Sequence, residues 1–215
     1  MEAQQTSLAA ALRNQSIQSP DWQDLCDTFV ARKRALSAGA LAPTPGSEFP
    51  PLSLPDLHGR YQSLADLHAA GPIVVSFNRG GWCPYCQLEL KSWSNALPAL
   101  TAAGGALVVV AGVVGGQMSN LMPDQVIVLS DVDHGAALAL GLAIHAGFDV
   151  LERYRQSGLD LAEHYGTASG FLPIPATFVI DQHGIVQYAF VNPDFRIRAE
   201  PADVIAVVQG LTGKG

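Results

Sequence analysis

Hydrophobic and polar positions along this chain fall into two periods. Ile73-Val74-Val75-Ser76-Phe77 is nearly all apolar and β-branched, which predicts a strand buried on both faces. Leu107 to Val114 is a second buried strand and Val126-Ile127-Val128-Leu129 a shorter third. Ala176 to Ile180 and Ile185 to Val191 predict a hairpin around Asp181-Gln182-His183-Gly184. Between these runs the period becomes helical. Gln87 to Leu100 buries Leu90, Trp93, Leu97 and Leu100, with Gly104-Gly105 as its stop. Pro84 suits its first helical position, where a missing N–H costs nothing, and Pro98 predicts a kink or an early stop. Gly135 to Ala146 reads as a helix weakened by Gly141, Phe148 to Tyr165 as an inserted helix or two, and Pro201 to Leu211 as a closing helix.

The first 40 residues or so read as a separate helical segment. Asp21 after Pro20 is the candidate cap, Trp22, Leu25, Cys26, Phe29 and Leu36 share one face, and Gly39 is the stop. Ala42-Pro43-Thr44-Pro45-Gly46 is a rigid linker. The division is thus an N-terminal helical arm and linker, 1–45, and a main domain, 46–215. The main domain opens with a small hairpin, Leu52-Ser53-Leu54 against Arg60 to Leu64, with Asp56 and Gly59 in the turn, followed by a short helical turn over Ala65 to Ala70. Strands joined by helices and finished by an antiparallel hairpin predict an α/β fold, a mixed central sheet flanked by helices.

Composition narrows the class. The 215 residues are 48% hydrophobic and 14% charged, with net charge −7, which is a globular chain. Its longest basic run, Arg32-Lys33-Arg34, is read as a solvated helix face, so no nucleic-acid partner is expected. The longest strongly apolar stretch, Ala106 to Val114, is too short to span a bilayer. The N-terminus lacks a basic cluster followed by an apolar run, so no signal peptide is expected. With three cysteines in a chain this long, a disulfide scaffold is not expected and a reducing, cytoplasmic setting is.

The candidate chemistry lies in Trp82-Cys83-Pro84-Tyr85-Cys86, between a buried strand and a helix start. Two thiols at this spacing can close into a disulfide and reopen, and a helix N-terminus favours thiolate over thiol. Beside a βαβ pattern the spacing reads as a thioredoxin-like redox motif. The bland alternative is a structural or zinc-bound pair, but zinc needs two further ligands and none of the six histidines pairs locally with Cys83 and Cys86. No metal or other cofactor is expected beyond an external dithiol reductant.

Phe77 to Leu90, with Arg79-Gly80-Gly81-Trp82-Cys83-Pro84-Tyr85-Cys86 at its centre, resembles a signature of bacterial peroxiredoxin-like proteins. Pro173-Ile174-Pro175-Ala176-Thr177-Phe178-Val179-Ile180-Asp181-Gln182-His183-Gly184 is the second match. Over roughly Phe49 to Gly210 the chain resembles the peroxiredoxin-like branch of the thioredoxin-fold superfamily, the alkyl hydroperoxide reductase and thiol-specific antioxidant family. The resemblance implies a thioredoxin-like fold, a hydroperoxide substrate and a thioredoxin- or glutaredoxin-like reductant. It places a cis-proline at Pro175, facing the cysteines, with a trans proline opening a strand as the alternative. Thr177 follows as a site-lining residue.

The chain departs from the family's Pro-x-x-x-Thr/Ser-x-x-Cys motif. In that register Cys86 holds the peroxidatic place, Cys83 that of the Thr or Ser, and Arg79 that of the Pro. The arginine that peroxiredoxins carry near the position of Pro175 is missing, and Arg79 is the nearest basic candidate to replace it. Register therefore favours Cys86 as the first thiolate and exposure favours Cys83; both routes end in a Cys83–Cys86 disulfide.

Trp82 and Tyr85 are read as lining the site, against ordinary packing. Arg79 either holds a thiolate or peroxide oxygen or makes a surface salt bridge. Glu89 reads as a solvated carboxylate that can also accept a proton, Cys26 as a buried inert thiol against a resolving role, and His134 and His145 as helix-end or packing residues. Arg196 and Arg198 receive no role. The resulting expectation is a thiol peroxidase with a Cys83/Cys86 cycle. A protein disulfide reductase without peroxidase activity and a non-catalytic redox sensor are the alternatives. The low charge and apolar arm suggest a homodimer.

Overall fold

The computed structural model describes residues 7–15, 19–112 and 121–213. Two helices open the chain, α1 (Leu8–Asn14) and α2 (Pro20–Ala35). The hairpin β1 (Ser53–Pro55) and β2 (Tyr61–Ser63) leads into α3 (Leu64–Ala69) and the strand β3 (Ile73–Asn78). Then come α4 (Pro84–Ala102), β4 (Ala106–Ala111), β5 (Ile127–Ser130) and α5 (Gly135–Ala139). The chain continues through β6 (Ala143–His145), α6 (Phe148–Gln156), α7 (Leu161–Tyr165) and β7 (Phe171–Pro173). It finishes with β8 (Ala176–Ile180), β9 (Val186–Val191) and α8 (Pro201–Thr212).

The central sheet has the order β5-β4-β3-β8-β9. β3 pairs parallel with β4 and antiparallel with β8, so the expected mixed sheet is present. Side chains alternate across it. Val74, Val109 and Val179 pack in one layer with Leu90, Trp93 and Leu100 of α4 and Val208 of α8. Ile73, Val75, Phe77 and Phe178 pack on the opposite face with Leu64 and Leu140. On the α4 side, β3 also presents Ser76 and Asn78, and Thr177 of β8 lies directly opposite Ser76.

Helices α1 and α2 pack on the α4 layer through Leu8, Leu12, Cys26, Phe29 and Val30. Charges pin them in place. The Glu200 carboxylate accepts from the Leu8 and Ala9 N–H groups at 3.1 and 2.5 Å, and Arg196 Nη1 reaches Asp27 at 2.6 Å.

Several expectations are corrected. The cap of α2 is Ser19, whose hydroxyl accepts from Trp22 N–H, and Pro20 takes the first helical position. Leu36 is exposed because α2 ends at Ala35 and Ser37 turns the chain with φ 50°. Lys33, within the supposed solvated triplet, is buried, its ammonium 4.6 Å from the Phe29 ring centre. α4 runs through Pro98, which lies on its exposed side. The predicted helix over 135–146 stops at Ala139. Gly141 adopts φ 66°, Leu142 N–H bonds back to the Ala137 carbonyl, and the chain leaves as a strand. That strand pairs with β7 in a small sheet the sequence did not announce. Val113 and Val114, at the end of the second predicted strand, lie outside the described residues.

Candidate functional site

Strand β3 delivers the chain to a sharp turn. Gly80 takes φ 108°, open to glycine at little cost, and Cys83 N–H closes the turn on the Gly80 carbonyl at 3.1 Å. Cys83 is then the N-cap of α4 and Pro84 its first residue. Pro84 has no N–H to offer at this helix start, and the Tyr85 and Cys86 N–H groups precede the first helical bond, from Gln87 N–H to the Cys83 carbonyl. One turn in, Cys86 is fully enclosed. All three cysteines are free thiols.

The two sulfurs are not equivalent. Cys83 is pulled down to about 5, first by the hydrogen bond it receives from the Cys86 thiol, then by the Arg79 and Arg198 charges, which together outweigh its burial. Cys86 is pushed well up, mainly by burial and by serving as that donor. Cys83 is accordingly the thiolate at neutral pH and Cys86 the thiol. Of the pair, Cys83 and not Cys86 lines a cavity of about 230 Å³. Cys83 is thus the sulfur at the cavity wall, as the exposure argument expected.

Arg79 lies at the cavity wall, 1% exposed. Its guanidinium carbon stands 4.4 Å from the Phe195 ring centre and 5.3 Å from that of Trp82. Nε and Nη1 have no hydrogen-bond partner. Burial works against its charge, but Tyr154, Cys83, Tyr165 and Cys86 surround it and raise its pKa. Thus the surface salt-bridge alternative for Arg79 is wrong: the side chain is buried and faces the thiolate. Its backbone is fixed too, since the Tyr165 hydroxyl donates to the Arg79 carbonyl at 2.7 Å.

The cavity walls are aromatic. Trp82 packs edge-on against Tyr154 (5.5 Å) and Tyr165 (6.1 Å), and Tyr85 against Phe195 (5.5 Å). From the arm, Trp22 closes over Tyr154 at 5.1 Å, and Cys26 lines the same space. No Asp or Glu is among the described residues lining it. Burial raises Tyr154 to about 12 and also raises Cys26, so both stay protonated.

Beneath the cysteines lies a polar layer. Arg198 Nε donates to Glu89 Oε2 at 2.8 Å, and Arg198 Nη2 reaches Cys86 Sγ at 3.4 Å. Ser76 Oγ donates to the other Glu89 oxygen at 3.3 Å, and Asn78 Nδ2 to Ser76 Oγ at 2.8 Å. The solvated reading of Glu89 is therefore corrected: the carboxylate is 1% exposed because its helix face turns inward to Arg198.

Of the sequence candidates, Arg79, Trp82, Cys83 and Tyr85 meet at one cavity, with Cys86 behind it. Pro175 and Thr177 are buried but do not line it. Nor is Pro175 cis: every peptide bond among the described residues is trans. Ile174 N–H bonds to the Leu142 carbonyl, so the chain passes extended from β7 into β8. His134 caps nothing through its side chain; it packs on Tyr165 at 4.4 Å. Trp22, Tyr154, Tyr165, Phe195 and Arg198 carry no motif that would have assigned them to the site. Among the described residues, no group of three or more His, Cys, Asp and Glu side chains could hold a metal ion, and no helix is long and apolar enough to cross a membrane.

Residues 45–189 match the AhpC/TSA family. No curated protein sequence matches. Among solved structures, peroxidoxin BcpB from Mycobacterium tuberculosis is similar with TM-score 0.59 and 17% identity, over 79% of this chain and 98% of that one. Reduced Prx3 from Vibrio vulnificus, in complex with hydrogen peroxide, gives 0.60 and 18%, over 77% and 96%. Peroxiredoxin Q from Xanthomonas campestris gives 0.54 and 19%, over 74% and 90%. At these identities the likeness is one of fold.

Proposed function

The chain belongs to the AhpC/TSA family, and from that premise we propose that this thiol-dependent peroxidase runs on a Cys83/Cys86 cycle in which Cys83 meets the hydroperoxide. The observation that carries the reading is the Cys83 thiolate opening on a cavity beside the Arg79 guanidinium, whose Nε and Nη1 have no hydrogen-bond partner. The thiolate attacks one peroxide oxygen, the O–O bond breaks, and Cys83 becomes a sulfenic acid. Arg79 Nε and Nη1 are free to hold the peroxide oxygens and the charge leaving with the alkoxide or hydroxide. Cys86 then condenses with the sulfenic acid and water leaves. An external dithiol of thioredoxin or glutaredoxin type reopens the disulfide.

The burial of Cys83, 2% exposed at a cavity that Trp22 also lines, weighs for a small substrate over a protein disulfide. Helix α2, through Trp22 and Cys26, forms in this reading part of the wall of the main domain's site. Cytoplasmic residence and a homodimer complete the proposal.

Stopped-flow tryptophan fluorescence of the reduced protein with hydrogen peroxide tests it, since Trp82 adjoins Cys83. The expected result is oxidation complete at one equivalent and abolished by Cys83→Ser. Oxidation no faster than that of a free thiol leaves a disulfide reductase or a sensor.

A further inference from the structure

We propose that Tyr154 is the general acid of the peroxide step: its hydroxyl gives a proton to the oxygen that leaves when the Cys83 thiolate attacks. The proposal rests on the reading that Cys83 meets a hydroperoxide, and it assigns a catalytic residue on α6, far along the chain from the two cysteines.

The cavity limits which group can do this. No Asp, Glu or His is among the described residues lining it. Ser157 Oγ is spent on the Tyr154 carbonyl, at 2.7 Å. Tyr85 packs edge-on against Phe195, and the strongest charge on its hydroxyl is that of Arg196, which does not line this cavity.

Tyr154 is placed differently. It stands on the inward face of α6 with Val150, one turn before it. Trp22 of the arm and Trp82 of the redox motif meet its ring edge-on, at 5.1 and 5.5 Å. Its carbonyl accepts from the Ser157 and Leu159 N–H groups at 3.0 and 2.9 Å, which fixes the end of the helix. A phenylalanine would pack here as well. What tyrosine adds is a hydroxyl, in apolar surroundings where an oxygen is costly to keep. The two strongest charges acting on that hydroxyl are those of Arg79 and Cys83. In turn, Tyr154 ranks first and Cys83 second among the groups that favour the Arg79 charge.

The proton balance closes. The Cys83 thiolate attacks the terminal oxygen of R–O–O–H. The O–O bond breaks, its electron pair leaves on the RO oxygen, and Cys83 becomes the sulfenic acid. The Tyr154 hydroxyl protonates the departing oxygen, which releases ROH and leaves a phenolate beside the Arg79 guanidinium. Burial, opposed by the Arg79 charge and joined by that of Cys83, sets this hydroxyl at about 12. Water, the acid formed from a leaving hydroxide, stands at about 15.7, so the transfer runs downhill. Cys86 then condenses with the sulfenic acid and water leaves, with no net proton. In the reductive half the external dithiol gives up two protons. Cys86 takes one, Cys83 stays a thiolate, and the other returns to the phenolate.

The test is the rate of Cys83 oxidation by hydrogen peroxide and by peracetic acid, followed by stopped-flow tryptophan fluorescence at neutral pH, in the parent, Tyr154→Phe and Cys26→Ala. Peracetic acid expels a carboxylate, whose acid lies at about 4 and which needs no proton to leave. Tyr154→Phe is expected to slow the hydrogen peroxide reaction about a hundredfold, the lower end of general acid catalysis, and to leave the peracetic acid reaction at the parent rate. The ratio of the two rates is read within each protein, so it stays informative where a variant folds only in part. Cys26, the other protonated side chain on this wall, is expected to leave the ratio unchanged when replaced. Parent rates in Tyr154→Phe, equal slowing with both oxidants, or a changed ratio in Cys26→Ala alone overturns the proposal. A parent oxidised by hydrogen peroxide no faster than a free thiol removes the peroxidase reading and the proposal with it, a result seen in the parent without reference to the variants.

Discussion

The Arg79 guanidinium carbon stands 4.4 Å from the centre of the Phe195 ring, and two of its nitrogens have no hydrogen-bond partner. A cation held against an aromatic face, with no Asp or Glu among the described residues that line the cavity, is a charge kept available. The Cys83 sulfur is among the groups that favour that charge. Replacing Arg79 with Met removes that charge while filling much of the same space. Oxidation of Cys83 by hydrogen peroxide should slow about ten- to a hundredfold. Thermal unfolding should show some loss of stability, because the buried Cys83 thiolate loses a neighbouring cation. A parent-like rate measured by stopped flow would remove Arg79 from the mechanism.

Cys83 should titrate near pH 5 rather than near 9. The sign is that of a depressed acid: the thiolate stabilises the fold fully above the unfolded value, and this is lost as pH falls from about 9 toward about 5. Ultraviolet thiolate absorbance of the reduced protein should follow the low midpoint and lose it in Cys83→Ser. Cys86→Ala should move the midpoint upward, since the thiol that donates to Cys83 has gone and no hydroxyl replaces it.

His134 is buried against Tyr165 with neither ring nitrogen bonded, and burial lowers its pKa to about 4. The unfolded chain takes a proton near 6.5, so between these values it binds more protons than the fold does. Stability should therefore fall on acidification through that window, by on the order of 3 kcal/mol for this group. Urea unfolding across the window should show a smaller acid loss in His134→Phe. An unchanged loss would assign the acid sensitivity elsewhere.

A Cβ at Gly112 would lie 2.2 Å from His134 Cε1. Gly112→Ala should cost about 1–3 kcal/mol as the ring is pushed from its place, read as a lower urea midpoint at unchanged slope.

Trp22 closes the cavity from the arm. Trp22→Ala should speed alkylation of Cys83 by bulky maleimides more than by iodoacetamide, measured by mass spectrometry. Equal acceleration of both would mean that Trp22 does not set the size of the opening.

Local chemistry was legible in the sequence where neighbours along the chain decide it. Pro84 after Cys83 marked the helix start, and the apolar run over 73–77 marked the buried central strand. Asp56 and Gly59 marked the first turn, where Asp56 accepts from the His58 and Arg60 N–H groups. What was hidden depends on contacts across the fold. Glu89 has the helix-face spacing of a solvated carboxylate until Arg198, from a distant segment, is brought beneath it. Trp22, Tyr154 and Phe195 share no motif and meet only around Arg79. Gly141 was read as a weak point inside a helix, whereas its left-handed backbone ends the helix and sends the chain into a strand.

The central claim is that peroxide oxidises Cys83 first. The most direct measurement is mass spectrometry of Cys86→Ser and Cys83→Ser after one equivalent of hydrogen peroxide, with a dimedone-type trap for sulfenic acid. The account predicts a trapped adduct on Cys83 in Cys86→Ser and none on Cys86 in Cys83→Ser. An adduct on Cys86 in Cys83→Ser, with Cys83 unmodified in Cys86→Ser, would contradict it and return the peroxidatic position to Cys86.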